Sequence, residues 1–330
     1  MAKRKSPWLW LGWGTGLGAA LATFMTGWRV GRAIIAADQT LRALPPPGRS
    51  FSEQQQHAAY TLIHVVEDGI ERITYTPNVR RFETPILMQH GMWHGAWCWQ
   101  FWQAWLAEWG WESTAISLPG HGRSPERRPV MLCTLEYYLG FLKAELERLP
   151  RKPILMGHSM GGALTQHYLK DVGDDLPAAV MVAPWNAFDV FADSMPHMLR
   201  LDPLGFLASV FSLTATPAVR SPQAASRLLL SPNSLYTPVQ FQAHLGPESA
   251  LILFEHRKPH WTPPAKLHTP TLLLAGERDA IVTLAGLRQS AAHFGADFVS
   301  IPDAGHNLMH AHNAHQTAGL IHNWLSARTA

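Results

Sequence analysis

Charged side chains are scarce in this 330-residue chain, at 15% of all residues, and only two residues are cysteine. Two cysteines, Cys98 and Cys133, cannot build a disulfide framework, so a buried free thiol is expected for each. Charge is also unevenly placed, because residues 1–45 carry a net charge of +5, which leaves −2 for the rest of a chain whose total is +3. The basic excess therefore belongs to the N-terminal segment, which argues against a nucleic-acid-binding face on the remaining chain.

Hydrophobic residues make up 47% of the chain, enough for a full core. Short apolar segments alternate with helical patterns such as 135–148 and 313–326, which predicts an α/β fold with a mostly parallel, doubly wound sheet covered on both faces. No internal repeat is visible. We expect one catalytic domain over residues 46–330, preceded by a separate segment and linker over residues 1–45.

The segment 157–162 reads Gly-His-Ser-Met-Gly-Gly and is the strongest functional signal in the chain. An apolar strand is predicted immediately before it, at 153–156, and a helix immediately after it, at 163–170. A serine on a sharp strand-to-helix turn presents its hydroxyl at the end of a sheet, as a nucleophile requires. Ser159 is therefore the predicted nucleophile, and a simple helix cap is the alternative.

A second apolar strand, at 85–88, leads into the segment His90-Gly91-Met92-Trp93-His94-Gly95. Acyl transfer needs two backbone N–H donors for the developing oxyanion, one after the nucleophile and one after an earlier strand. Met160 and Met92 are the predicted donors. Taken alone, the second segment also fits an ordinary turn.

The chain also offers an acid and a base at the ends of later strands. Asp279 follows the apolar strand 271–276, where a carboxylate can orient an imidazole. Asp303 is a rival candidate for this acid. The alternative for Asp279 itself is that it caps the helix that follows. His306 lies in a glycine-containing loop after the strand 298–301 and is the predicted general base. Ser159, Asp279 and His306 follow one another in the order that one class of triad enzymes uses.

From about residue 58 to its end, the chain resembles the α/β-hydrolase-fold serine hydrolases of the esterase and lipase type. The loop 118–124 matches a turn that is usual in that family, and residues 90–99 are similar to plant methylesterases and their hydroxynitrile-lyase relatives. The lyases carry threonine at the position of Gly91 and lysine at that of Asn307, so both departures favour hydrolysis. The resemblance implies a triad that needs no cofactor.

About 85 residues between the strand at 178–183 and the strand at 271–276 exceed what this fold requires. We predict a helical lid over about residues 185–268, whose apolar side chains bind the substrate and exclude water. Ordinary packing of these helices on the domain is the alternative. The predicted pocket residues are His90, Gly91, Trp93, His158, Trp185 and Phe188.

The N-terminal segment has no charged side chain over residues 6–28. As a helix it would reach about 34 Å, enough to span a bilayer core, and tryptophans lie near both of its ends. A retained membrane anchor in the lipid bilayer, with the catalytic domain on the exported side, is the leading prediction. A cleaved signal peptide with its small-residue exit at 20–22, giving a secreted or periplasmic protein, is the alternative. An interfacial helix or a buried cap would also fit.

The sequence thus predicts a monomeric hydrolase of small hydrophobic esters. The same triad would also serve an acyltransferase, a carbon–carbon hydrolase or a lyase, and a silent ligand-binding homologue is a further alternative. Histidines crowd the C-terminal segment at His306, His310, His312 and His315, but without an acidic ligand cluster no metal is expected. Exposure is expected for this segment and for His94 and His121.

Overall fold

The computed structural model of the protein describes residues 50–212 and 214–329. The predicted N-terminal segment 1–45, with its membrane or signal helix, lies outside these residues, and so does the domain boundary drawn at its end. Among the helices that are described, none combines the length and the apolar character needed to cross a bilayer.

A nine-stranded sheet runs through the described residues, with strand order β1-β2-β3-β5-β4-β6-β7-β8-β9. Strands β1 to β3 pair antiparallel, β3 is antiparallel to β5, and all later pairs are parallel. The prediction of a mostly parallel sheet is therefore confirmed. The strands are β1 (Phe51–Gln56), β2 (Tyr60–Glu67), β3 (Ile70–Pro77), β4 (Ile86–Gln89), β5 (Ser113–Ser117), β6 (Ile154–His158), β7 (Ala179–Val182), β8 (Thr271–Gly276) and β9 (Asp297–Ile301).

Helices cover both faces of this sheet. They are α1 (Gln100–Glu108), α2 (Leu135–Arg148), α3 (Met160–Asp171), α4 (Val190–Leu201), α5 (Pro203–Ser212), α6 (Pro222–Leu229), α7 (Pro238–His244), α8 (Ile252–Glu255), α9 (Leu284–Phe294) and α10 (Ala314–Thr329). Short 3₁₀ turns lie at Ala96–Trp99, Val130–Leu132, Thr216–Val219 and Leu308–His310.

The core lies in two layers because successive strand residues point to opposite faces. In β4, Leu87 packs in the layer under α2, α3 and α9, whereas Ile86 and Met88 pack in the layer under α1 and α10. All three side chains are fully buried. The central strands are therefore apolar on both faces, as parallel strands covered by helices must be.

The predicted insertion begins after β7 and ends before β8, and its described residues contain the helices α4 to α8. Several of its apolar side chains are exposed, including Leu204 and Phe211 in α5. Both cysteines are free and buried, as expected.

Candidate active site

Ser159 occupies the tight turn between β6 and α3. Its φ of +52° lies in the left-handed region, which a serine adopts only when its surroundings hold it there. Its N–H donates to the Val182 carbonyl at 3.0 Å. Close packing explains the glycines beside it, since a Cβ on Gly161 would lie 2.3 Å from the Gln89 carbonyl oxygen. Helix α3 thus starts directly against the end of β4.

Two hydrogen bonds join Ser159 to His306 and His306 to Asp279. The Ser159 Oγ lies 2.8 Å from His306 Nε2, and His306 Nδ1 lies 2.8 Å from Asp279 Oδ2. A carboxylate only accepts, so Nδ1 carries the hydrogen and Nε2 is left to accept from the serine hydroxyl. The side chains of His306 and Asp279 are 1% and 2% exposed.

The position of Asp279 is set by its other oxygen. Oδ1 accepts from the backbone N–H groups of Ile281 at 2.8 Å and Val282 at 3.0 Å, which turns Oδ2 toward His306. The rival Asp303 is 58% exposed and pairs with Arg278 at the surface. The structure thus brings Asp279 and not Asp303 to His306. A further carboxylate that follows β7, Asp189, caps α4 through the Ala192 N–H.

The turn at 91–93 lies beside the serine. A Cβ on Gly91 would come within 2.8 Å of the Ser159 Cβ, so a larger residue has no room there. Trp93 has a φ of +63°. The Met92 N–H has no acceptor in the described part of the chain. Met160 is the first residue of α3, and the first N–H groups of a helix have no intrahelical partner.

An apolar cavity of about 260 Å³ opens at Ser159. Three of the other predicted site residues, Met92, Trp93 and Trp185, line it. Most of the remaining lining comes from the insertion, with Val190, Phe191, Ser194, Met195, Met198, Phe206, Ser209, Val210, Ala215, Ala218, Ala250, Leu253 and Phe254, and Ile281 completes it. No charged side chain is among these residues.

Four of the predicted pocket residues do not line the cavity. The His90 ring hydrogen-bonds to the backbone: Nδ1 lies 2.7 Å from the Gly91 carbonyl, and Nε2 accepts from the Leu118 N–H. His158 Nε2 lies 3.2 Å from the His306 carbonyl. Burial lowers the pKa of both rings well below its usual value. Gly91 packs closely on His158 and Ser159, and Phe188 packs on His293.

The expected exposure of His94, His121 and His310 is wrong, since all three are buried. His94 and His310 hydrogen-bond to Asn307, and burial lowers the pKa of each to about 3. His121 Nε2 lies 3.1 Å from Glu248 Oε2 of the insertion. The charge-free, tryptophan-rich surroundings of His94 were a usable signal for burial. No local signal could pair His121 with a residue 127 positions away.

His312 and His315 are exposed, as expected for the C-terminal segment. The described residues bring together no group of three or more histidine, cysteine, aspartate or glutamate side chains suited to a metal ion.

Comparison with known proteins places this geometry in a family. A family model described as "Alpha/beta hydrolase family" matches residues 86–320. The putative chloroplastic methylesterase 12 of Arabidopsis thaliana is 32% identical over 117 residues, which cover 33% of either chain. The probable esterase PIR7A of Oryza sativa subsp. indica is 34% identical over 95 residues, covering 28% of this chain and 36% of its own. The alignments thus span about a third of the length of these curated relatives.

Among solved structures, a thermophilic esterase from Thermogutta terrifontis has a TM-score of 0.61 and 18% identity. That similarity covers 86% of this chain and all of the other, and it concerns the fold. Because the family model spans well over half of the chain and includes both the Ser159 turn and the His306 loop, this protein belongs to the α/β-hydrolase family.

Proposed function

We propose that the protein is a serine hydrolase that cleaves small hydrophobic carboxylic esters through an acyl-enzyme intermediate. One observation carries the proposal: the hydrogen-bonded chain from Asp279 through His306 to Ser159 ends at the wall of an apolar cavity. The similarity to plant methylesterases supports ester chemistry.

In the proposed mechanism, Ser159 Oγ attacks the acyl carbon while His306 Nε2 takes the hydroxyl proton. The N–H groups of Met92 and Met160 donate to the oxyanion that forms on the carbonyl oxygen. His306 then returns the proton to the leaving alcohol, and water repeats the sequence to release the acid. Asp279 stabilises the imidazolium in both halves through its short contact with Nδ1.

The cavity supports an uncharged, apolar acyl or alcohol group as the part of the substrate that is recognised. Its lining is almost entirely hydrophobic and holds no ionisable side chain. Helices α4 and α5 supply much of it, so in this proposal the insertion acts as the lid that keeps water from the acyl-enzyme. Each buried methylene of the substrate contributes about 0.8 kcal/mol of binding.

Other chemistry on the same triad is the second candidate, as acyl transfer, carbon–carbon hydrolysis or a lyase reaction. Against the lyase stands Asn307, whose amide is occupied by two histidines at the position where the lyases carry lysine. A silent ligand-binding homologue is disfavoured by the intact Ser159–His306 contact.

The test is labelling with a fluorophosphonate probe, followed by turnover of chromogenic esters of increasing acyl length. Ser159→Ala should abolish labelling and lower turnover on the order of 10³- to 10⁶-fold, while the thermal unfolding midpoint stays close to that of the parent. Undiminished turnover in this variant would refute the mechanism, and an unlabelled, inactive parent would favour the silent homologue.

We further propose that residues 6–28 anchor the chain in a lipid bilayer with the catalytic domain on the exported side. The support is the charge-free, tryptophan-flanked sequence, which is hydrophobic enough to resist release by salt. Deleting residues 1–45 should move the protein from the membrane to the soluble fraction and change turnover of a soluble ester less than about threefold. A full-length protein that is already soluble would contradict the anchor, and a mature mass starting near Thr23 would indicate a cleaved signal.

A further inference from the structure

A buried polar cluster lies behind the proposed oxyanion turn and takes no direct part in the triad. It consists of His94, Asn307 and His310, none of which is more than 1% exposed. Its surroundings are aromatic, with the rings of Trp97 and Phe241 within 6 Å of both imidazoles. Burying a polar group in such surroundings costs free energy unless the group is hydrogen-bonded. The partner of each ring nitrogen therefore indicates how the cluster is held together.

The direction of every hydrogen bond in the cluster follows from its ends. The Met92 carbonyl only accepts, so His94 Nδ1 carries a hydrogen and donates to it at 2.6 Å. His94 Nε2 then accepts from the Asn307 amide nitrogen at 2.9 Å. At the other end, His310 Nε2 donates to the Cys98 carbonyl at 2.9 Å, and its Nδ1 accepts from the same amide nitrogen at 3.3 Å. The Asn307 amino group therefore serves two neutral imidazoles.

This chain of bonds ends on a strained piece of backbone. Trp93 holds a φ of +63°, a conformation that costs on the order of 1 kcal/mol for a bulky residue and that persists only where its neighbours restrain it. Three successive carbonyls restrain it here. The Gly91 carbonyl accepts from the His94 N–H at 3.3 Å. The Met92 carbonyl accepts from the His94 ring, and the Trp93 carbonyl accepts from the Gly246 N–H at 2.8 Å. The Met92 N–H has no acceptor among the described residues, so it is free to donate to a bound group.

The same cluster also joins this turn to the loop that carries the catalytic base. Asn307 directly follows His306, and its own N–H donates to the Leu229 carbonyl at 3.0 Å. A shift of the 91–93 turn would therefore pull on the residue next to His306.

Resting on the function proposed above, we propose that His94 and Asn307 are positioning residues. They hold the Met92 N–H at the oxyanion and keep its position fixed relative to His306. The stabilising effect is realised when the oxyanion forms, so these residues act on the chemical step and leave ground-state binding alone. Because burial lowers the pKa of His94 and His310 to about 3, both rings stay neutral and the cluster keeps its hydrogen-bond pattern at ordinary pH.

The test compares Asn307→Leu and His94→Phe with His94→Gln, which keeps a donor and an acceptor. Asn313→Leu is the matched control, since Asn313 lies in the same segment but bonds the Pro302 carbonyl at the surface. With a soluble chromogenic ester, the first two variants should lose about 10- to 100-fold in kcat with KM nearly unchanged. Binding of a boronic acid that mimics the tetrahedral intermediate should weaken in parallel, His94→Gln should recover part of the loss, and the control should behave as the parent.

Unchanged kcat in folded Asn307→Leu and His94→Phe would overturn the proposal, as would a loss confined to KM. Nitrogen chemical shifts of the His94 ring in the unmodified protein provide a check that needs neither variants nor activity. They should report the tautomer with hydrogen on Nδ1, and the opposite tautomer would also overturn the proposal. A parent protein that neither turns over esters nor reacts with fluorophosphonate would instead refute the proposed function.

Discussion

At the scale of single residues, Asp279 differs from its rival carboxylates in having both oxygens engaged within the protein. One accepts two backbone N–H groups and the other faces His306, whereas Asp303 is largely in water beside Arg278. A solvated surface pair contributes little, while a buried carboxylate that faces an imidazole stabilises its cation strongly.

Asp279→Asn should therefore lower kcat by roughly 10³- to 10⁴-fold, because an amide cannot stabilise the imidazolium. Asp303→Asn is the matched control and should change kcat by less than about tenfold. Steady-state kinetics on one soluble ester decides between them. The reverse ranking would transfer the role of the acid to Asp303.

The closeness of Ser159, Asp279 and His306 to one another could be predicted because each lies at the end of an apolar strand, and parallel strands bring such ends together. The hydrogen-bond partners of His94 and His121 could not be predicted in the same way. Asn307 and Glu248 lie far away in sequence, and no local pattern identifies them as partners.

At the scale of the secondary-structure elements, the sequence prediction was accurate where apolar periodicity is strong. The strand at 271–276 and the helix at 135–148 are confirmed with the predicted bounds. Within the insertion the helices are short and interrupted by prolines, and their apolar faces turn toward a cavity or toward solvent as well as toward the core. Its individual helices therefore could not be placed from the pattern.

If the insertion shapes the substrate site, a larger side chain inside it should shorten the preferred acyl chain. Ala250 lines the cavity, and Ala250→Phe should lower kcat/KM for long acyl esters by about fourfold for every methylene displaced. Short esters should be affected little. Leu204→Ala, in α5 but 74% exposed and outside the lining, is the control. A uniform loss over all chain lengths would mean that Ala250 does not contact the acyl group.

At the scale of the whole molecule, several histidines among the described residues are buried and neutral. Burial lowers the pKa of His94 and His310 to about 3 and that of His256 to about 4, against a usual value of 6.5. Between these values the unfolded chain binds protons that the folded chain does not, so stability is complete above pH 6.5 and falls as pH decreases.

The three rings together should remove on the order of 7 kcal/mol between pH 6.5 and 4.5, comparable with the whole stability of a typical domain. We therefore expect cooperative acid unfolding within this window. Urea titrations at a series of pH values measure the loss of stability. His256→Gln should lower the dependence of stability on pH by about one proton, and His312→Gln, at an exposed position, is the matched control. An equal stability at pH 7 and pH 4.5 would contradict the neutral, buried state of these rings.

The contact between His121 and Glu248 restricts how the cavity exchanges its contents. Both side chains are shielded from water, and Glu248 also accepts from Tyr138 of α2 and from the Ser249 N–H. Separating them would leave both buried side chains without this hydrogen-bond partner, which costs about 1–3 kcal/mol. We therefore expect ester, alcohol and acid to enter and leave while this contact stays formed, beside the exposed helix α5.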